Sequence, residues 1–266
     1  MEGSKILGII IIIALILSVA VVGYNSVTKV TENDEKISQT TEILDESDLN
    51  ETLSQSENTT PTVNLNINQK LGGVHIEFAD NVSTVYNITS NNDQNNTTEV
   101  TTNQSEDHLD INVESEKSDN TIILSNKYNY NITCNMVSGG FDVDLNNNSN
   151  VDEINVNVTA GGVNINFNGG KLNTLNSMIT TGGLNIKGMP TGETVVNSEI
   201  EVGGLNLQID QAIADIFSDI EVGGINPGDY QHTGTNEYKG NAFDSSENKL
   251  IIHNSIRLGG VNTQSF

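Results

Sequence analysis

Apolar and polar residues alternate along most of the chain from residue 62 onward, and most of the alternating runs are centred on a pair of glycines. In the run before Gly161, the apolar residues Ile154, Val156 and Val158 are separated by asparagines. A period of two is typical of a β-strand that is buried on one face, because successive side chains of a strand point in opposite directions. The pattern therefore predicts a series of half-buried strands.

The glycine pairs recur at a nearly constant spacing. The four successive intervals between Gly139 and Gly223 are 22, 21, 21 and 20 residues. The interval that follows Gly72 is 67 residues, about three periods, and the last interval is 36 residues, one period plus an insertion. Such a repeat indicates structural units that stack on one another. The pairs begin at Gly72, Gly139, Gly161, Gly182, Gly203, Gly223 and Gly259.

Each glycine pair also shifts the phase of the alternation by one residue. The inward positions are predicted to lie seven, five, three and one residues before the first glycine, as in Val196, Ser198, Ile200 and Val202. After the first glycine, they lie two, four and six residues downstream. A turn at the glycines explains the shift, because glycine tolerates positive φ angles. Cys134 falls in the inward series, where it is predicted to be a small buried residue.

Two all-β folds satisfy this pattern. In a β-solenoid, here a single-stranded β-helix, coils of about 21 residues stack in register. In an antiparallel meander, each glycine pair is a hairpin turn, and Val202 pairs with Leu205 across it. The nearly constant period favours the solenoid over residues 62–266. Two polar segments, near residues 89–108 and 227–248, are predicted to be loops inserted into this domain.

Asparagine recurs three residues after the first glycine, at a position that faces outward. Stacked amide side chains hydrogen-bond from coil to coil, so these residues are predicted to form a ladder and are the candidate binding surface. The ladder consists of Asn164, Asn185, Asn206, Asn226 and Asn262, with His75 and Asp142 at the same position of earlier copies.

The amino-terminal part of the chain has a different composition. Residues 6–23 are 18 uncharged, mostly apolar residues, about 27 Å long as a helix. They predict a membrane anchor over residues 1–24, with a signal peptide cleaved near Ala20 as the alternative. Either interpretation places the bulk of the chain outside the cytoplasm. Residues 25–61 are acidic and polar, which predicts a disordered linker, with a short surface helix near residues 43–53 as the alternative.

Composition narrows the range of partners. The formal net charge is −24, from 35 acidic and 11 basic residues, which argues against binding nucleic acid or anionic lipid head groups. The chain has one cysteine and four scattered histidines, so neither a disulfide nor a zinc site is predicted. We therefore expect no catalytic residues and no cofactor.

One segment has the oxygen spacing of a calcium loop. Asp142, Asp144, Asn146 and Glu153 stand at positions one, three, five and twelve of the pattern. However, Asn147 occupies the position that requires glycine, and the segment continues a predicted strand. A strand followed by a polar turn is the competing interpretation, and no metal site is assigned.

Paired carboxylates raise the question of hydrolysis. The pairs Asp142/Asp144, Glu199/Glu201 and Asp219/Glu221 are separated by roughly 6.5–7 Å on a strand, a distance compatible with acid–base attack on a polysaccharide. Their outward position favours a solvated acidic face instead.

The chain also contains N-glycosylation acceptor sequences. These begin at Asn50, Asn58, Asn81, Asn87, Asn95, Asn96, Asn103, Asn131, Asn147 and Asn157.

The repeat resembles a known family. Residues 198–207 (SEIEVGGLNL) and 254–263 (NSIRLGGVNT) are similar to the toast-rack β-helix domains of prokaryotic envelope proteins, which include adhesin-like proteins and the carboxy-terminal domain of LiaF-type regulators. The resemblance covers about residues 62–266 and implies a single-stranded β-solenoid without catalysis. The chain differs from the family at the residue before the glycines, which is often Phe there, and in having one membrane segment where LiaF-type proteins have several.

These features predict a single-pass, membrane-anchored cell-surface module that is not an enzyme and acts in binding or structure. Its expected partners are the membrane, through residues 6–23, and an envelope protein or a glycan. The alternative is an envelope-stress sensor that regulates a membrane kinase. A polysaccharide-active enzyme is the minor alternative.

Overall fold

The computed structural model describes residues 38–49, 60–80, 82–92, 96–105, 108–146 and 148–265. Its strands form one thirteen-stranded sheet. They are β1 (Ser38–Asp45), β2 (Thr62–Ala79), β3 (Thr84–Asn92), β4 (Thr98–Gln104), β5 (His108–Ser125), β6 (Asn129–Asn146), β7 (Asn150–Asn168), β8 (Lys171–Met189), β9 (Glu193–Gln208), β10 (Ala214–Asn226), β11 (Gln231–Gly234), β12 (Glu237–Lys239) and β13 (Lys249–Gln264). Single 3-10 turns lie at Glu46–Asp48, Gln211–Ile213 and Phe243–Ser245.

Eight long strands form a parallel stack in the spatial order β5, β2, β6, β7, β8, β9, β13, β10. The glycine pairs are aligned, so that Gly161 lies beside Gly139 in one neighbour and beside Gly182 in the other. This parallel alignment means that the antiparallel meander, in which Val202 would pair with Leu205, is wrong. The all-β, parallel-rich sheet is consistent with a β-solenoid.

Seven of the eight long strands are bent at their glycine pair, and β5 has Ser118 and Asp119 at the same place. We call the part before the pair the first arm and the part after it the second arm. In β7, the first arm buries Ile154, Val156 and Val158, and the second arm buries Val163 and Ile165. Both series belong to one hydrophobic cluster that runs through the stack. The two arms therefore enclose a common core, and burial of these positions follows the alternation in the sequence.

The residue directly before the glycine pair was predicted to face the core, and this prediction is wrong. Leu71, Val222 and Leu258 occupy this position and are 46%, 59% and 47% exposed. At every junction between the eight strands, the preceding residue, such as Thr159 in β7, is left out of the pairing. This irregularity rotates the next side chain outward, as at Ala160.

The aligned corners leave no room for a side chain on the first glycine of a pair. Gly182 has a φ of +146°, and a Cβ atom built on it would lie 1.6 Å from the carbonyl oxygen of Gly161. In β5, Ser118 replaces the first glycine. Strand β3 ends opposite Ser118 at Asn92, so no further corner is stacked on it. Glycine is thus required wherever another corner lies beneath.

The order of the strands in the stack differs from their order in the chain. Strand β5 lies on the opposite side of β2 from β6, and β13 lies between β9 and β10. The long interval after Gly72 therefore does not hold coils between β2 and β6. It contains β3, β4 and β5, which extend the sheet beyond β2.

The two segments predicted as polar loops each contain strands that extend the sheet. Strands β3 and β4 pair antiparallel with the second and the first arm of β5, respectively. Strands β11 and β12 form a hairpin that pairs with residues 215–217 of β10. The amide nitrogen of Gln104 is buried without a hydrogen-bond partner, but other polar side chains of the first segment bond to one another. Asn92, for example, is buried, donates to Thr40 (3.0 Å) and accepts from Thr98 (3.0 Å).

Part of the predicted linker is also ordered. Strand β1 pairs antiparallel with β3, and the turn that follows is held by an ion pair between Glu46 and Lys127 at 2.8 Å. Residues 38–49 are therefore not a disordered linker, because the edge of β3 supplies hydrogen-bond partners for β1. Of the alternative helix near residues 43–53, the structure shows a single 3-10 turn at Glu46–Asp48, and residues 50–53 lie outside the described residues. The predicted membrane segment, residues 6–23, lies outside the described residues. Among those that are described, no helix is long and apolar enough to cross a membrane.

Candidate binding surface

Outward-facing asparagines on the first arm form two ladders. At the position six residues before the first glycine, Asn176 donates to Asn155 (2.9 Å) and Asn197 donates to Asn176 (2.8 Å). Four residues before the glycine, Asn157 donates to Asn135 at 2.9 Å, and Asn135 donates in turn to the next strand. Because each amide is held by its neighbours, the ladders present a fixed polar surface.

These ladders line a trough along the outside of the first arms. The trough has two sections, with volumes of about 570 and 880 Å³, which meet at Asn157 and Met178. One end is bordered by Thr97 and Glu99, at the start of β4. Thr235 and Asn236, between β11 and β12, border the other end. At about 4.8 Å per strand, the eight stacked strands give the trough a length of roughly 34 Å.

Both polar insertions therefore extend the sheet at its two edges and border the two ends of the same trough. The insertions are far apart in the chain, and only the stack brings them to opposite ends of one surface. The arrangement suits an extended ligand, because the trough is long, shallow and lined by repeating groups.

The lining combines polar, acidic and apolar groups. Its acidic side chains are Glu99, Glu114, Glu116, Glu199 and Asp219. Lys70 is the one lysine or arginine among the lining residues, and it is paired with Glu116 at 2.5 Å. This charge disfavours an anionic ligand.

Apolar contacts are concentrated at two places in the trough. Met178, at the junction of the two sections, is 56% exposed, and Val137 nearby is 52% exposed. Toward the β11–β12 end, the ring of Phe217 stacks on His253 with 5.1 Å between centroids. A ligand in the trough would therefore meet amides along its length and apolar side chains at these two places.

The asparagine ladder predicted from the sequence is present on the second arm, outside the trough, as two hydrogen-bonded segments that are not joined between Asn185 and Asn206. Asn185 donates to Asn164 (2.7 Å), while Asn262 donates to Asn206 (2.9 Å) and accepts from Asn226 (3.1 Å). Its role as a contact surface stays a prediction.

The four calcium candidates are not brought together. Asp142, Asp144 and Asn146 alternate along the outward face of β6, and Glu153 lies on β7. Each hydrogen-bonds to another residue, as when Asn166 donates to Asp144 at 2.7 Å. An extended strand separates ligands that a calcium loop gathers around one point. Among the described residues, no three His, Cys, Asp or Glu side chains are grouped so as to hold a metal ion.

Asp142 lies inside the second-arm ladder. Burial raises the pKa of its carboxyl group, and a hydrogen bond from Asn164 opposes the shift. His75 and Asp144 also act on it, the first lowering and the second raising the pKa. A carboxylate in this position is less favourable than the amides that continue the ladder.

The other acidic pairs are exposed. Glu199 and Asp219 line the trough, whereas Glu201 and Glu221 lie closer to the corner. Glu201 approaches Arg257 at 3.7 Å. The two pairs do not adjoin, because β13 lies between β9 and β10 and places Ser255 and Arg257 between them.

Sequence reasoning missed the first-arm surface, although part of its signal was present. Asn155, Asn176 and Asn197 recur six residues before successive first glycines, with the same period as the second-arm ladder. The ends of the trough had no such signal, because the insertions carry no repeat and their position depends on strand order.

Comparisons with known proteins support the fold. No protein-family model matches the sequence, and no curated protein is recognisably similar to it. A solved structure from Clostridium sporogenes, which carries the provisional name of a cell adhesion protein, is similar with a TM-score of 0.60. The two chains are 18% identical, and the match covers 87% of this chain and 100% of the other. At this identity the likeness shows a shared fold alone.

Proposed function

We propose that the chain is a non-catalytic binding or structural module of the cell surface, a single-stranded β-helix of the toast-rack kind. In this proposal residues 6–23 anchor it in the cell membrane and the stack lies outside the cytoplasm. The apolar amino-terminal run supports the anchor. The shared fold with a protein provisionally named for cell adhesion supports the surface role.

The observation that carries the binding role is the trough on the first arms. It is bounded at both ends by insertions that are not needed to continue the repeat, and three of its apolar side chains, Val137, Met178 and Phe217, are exposed. An extended segment of an envelope glycan or protein, neutral or basic in charge, fits such a surface.

A matched pair of substitutions tests this role. Strand β8 carries two exposed methionines, Met178 in the trough and Met189 at the far end of the second arm. Met178→Arg should reduce binding of the purified full-length chain to isolated cell envelopes by at least tenfold, because a bulky cation would lie at the junction of the two sections. Met189→Arg adds the same charge outside the trough and should bind like the unmodified chain.

Equal binding by the two variants would remove the trough from the proposal. Digestion of the envelopes with a protease or oxidation of their sugars with periodate, before binding, identifies the class of ligand. Protease treatment of intact cells tests the orientation separately, since an extracytoplasmic stack is accessible to the enzyme and an intracellular one is not.

A further inference from the structure

We propose that the exposed edge of β10 is a self-association surface, through which two copies of the chain join end to end about a two-fold axis. This goes beyond the proposed binding role, because it concerns the end of the stack rather than the trough.

The edge of β10 is open over one continuous segment. Strand β12 pairs with residues 215–217, and the backbone N–H of Ser218 donates to Asn236 at 2.9 Å. Beyond this point, residues 219–226 pair with β13 on one side, and no other described strand pairs with them. The parallel ladder of the stack therefore stops at an edge that can accept another strand.

The same segment leaves the end of the core incompletely covered. Ile220 and Ile225 face the core but are only partly buried. Their counterparts in β9, Ile200 and Leu205, are 2% and 0% exposed. Val222, at the corner, is 59% exposed. One more layer of strand would bury these residues as the inner strands are buried.

The opposite end of the stack does not offer a matching edge. Strand β4 covers the first arm of β5, β3 covers the second arm, and β1 covers β3 in turn. A head-to-tail assembly would need to add β10 of one copy to β5 of the next. Both arms of β5 are already paired, and the strands that form the outer edges at this end, β1 and β4, contain no glycine corner that could stack on that of β10. The symmetric contact between two β10 edges matches corner to corner.

Residues 219–226 of two copies can pair with each other over their full length, with the inward side chains of both copies on the same side. Residues 219–226 have their midpoint between Val222 and Gly223, at the corner itself. A two-fold axis through the corner exchanges the two arms and makes the paired edges antiparallel. It places Ile220 opposite Ile225 of the second copy, and both side chains face the core.

The polar positions of this register also match. Asp219 of one copy lies opposite Asn226 of the other. An aligned pair of the same kind, Asp142 and Asn164, is hydrogen-bonded within the stack. Gly224 leaves space toward the open end, because a Cβ atom built on it would contact nothing within 4 Å. The register ends where Pro227, which has no N–H, stops the ladder.

A cysteine at the corner tests the contact directly. In the Val222→Cys variant of the full-length chain in detergent, the two thiols lie diagonally across the axis and should form a disulfide-linked dimer on mild oxidation. The native Cys134 is the sole cysteine of the sequence and is fully buried, so it does not contribute. Leu71→Cys is the matched control, with similar exposure in the same position near the opposite end.

Substitution by aspartate provides a second readout. Val222→Asp places two like charges beside the axis and should shift the sedimentation of the full-length chain from dimer to monomer, with at least a tenfold rise in the dissociation constant. Leu71→Asp should leave the dimer intact. Thermal unfolding of both variants shows whether the fold is retained.

Two results would overturn the proposal. One is a monomer at all concentrations with no cross-link from Val222→Cys, as expected if another segment of the same chain covers the edge. The other is equal cross-linking by the Val222→Cys and Leu71→Cys variants, which would indicate random collision.

Discussion

The column of first glycines makes a quantitative prediction about stability. In Gly182→Ala, the new Cβ atom would lie 1.6 Å from the carbonyl oxygen of Gly161, and the residue would retain a φ of +146°. The contact involves backbone on both sides, so relief requires the two strands to separate. Strain at a positive φ contributes about 1–3 kcal/mol, and the forced displacement about 1–3 kcal/mol more. We expect a total loss of about 2–6 kcal/mol.

Two other glycines separate these contributions. Gly192 has a φ of +79° with nothing within 4 Å of its Cβ position, so Gly192→Ala tests backbone strain alone. Gly224 has neither the positive φ nor a close contact, so Gly224→Ala should change stability by less than about 0.5 kcal/mol. Urea denaturation followed by circular dichroism measures all three, with Gly192→Ala expected to lose about 1 kcal/mol.

The order of stability of the three variants tests whether the close stacking of the corners requires glycine. If Gly182→Ala is no less stable than Gly192→Ala, the close stacking of corners does not require glycine. If Gly224→Ala is as destabilising as Gly182→Ala, the loss arises from a general property of glycine pairs instead of from the stacked carbonyl oxygen.

Three further predictions concern buried polar groups. The Ser198 hydroxyl is buried without a partner, so Ser198→Ala should retain stability or gain up to about 1 kcal/mol in thermal and urea unfolding. Burial raises the pKa of Asp142, so the contribution of this carboxyl group to stability falls as pH rises from its unfolded pKa to its folded pKa. Asp142→Asn should remove this contribution to the pH dependence and stabilise the chain at pH 7 by about 1 kcal/mol. Thermal melting at pH 4 and pH 7 measures both effects. Burial raises the pKa of Cys134 to about 12, and its thiol should react with a disulfide reagent only after unfolding; rapid labelling of the native chain would contradict its placement.

Much of the coil could be predicted from local pattern. The inward positions of β7 follow directly from alternation, and the aligned glycines follow from their period. The position before the glycines was misjudged because the alternation was continued up to the corner. At Leu258, for example, the pairing skips the preceding residue, and the sequence carries no mark of that irregularity.

The spatial order of the strands could not be predicted from the local sequence pattern. Residues 108–125 form a coil of the stack, but Ser118 and Asp119 stand where the glycines occur elsewhere. A repeat that is recognised by its glycine pairs does not include this strand. Its corner rests on no other corner, so glycine is not required there. The insertion of β13 between β9 and β10 is likewise a property of long-range pairing.

Only part of the binding surface could be predicted, because its borders also depend on the order of the strands. Asparagines at a fixed distance from the glycines can be found by counting, and the second-arm ladder was found in this way. Counting gives no information on which insertion covers which arm. Glu99 and Asn236 border the two ends of the trough because β4 pairs with β5 and β12 pairs with β10.

The stack separates the residues that maintain the fold from those available for recognition. The first glycine is the same in seven of the eight strands, because every corner except that of β5 rests on a neighbour. The outward position four residues before it varies freely, from Asn157 to Met178 to Glu199 along three adjacent strands. A side chain there contacts neighbours in its own column and leaves the core unchanged. Substitution in this column should therefore alter what the trough binds with little effect on stability, whereas substitution in the glycine column should do the reverse.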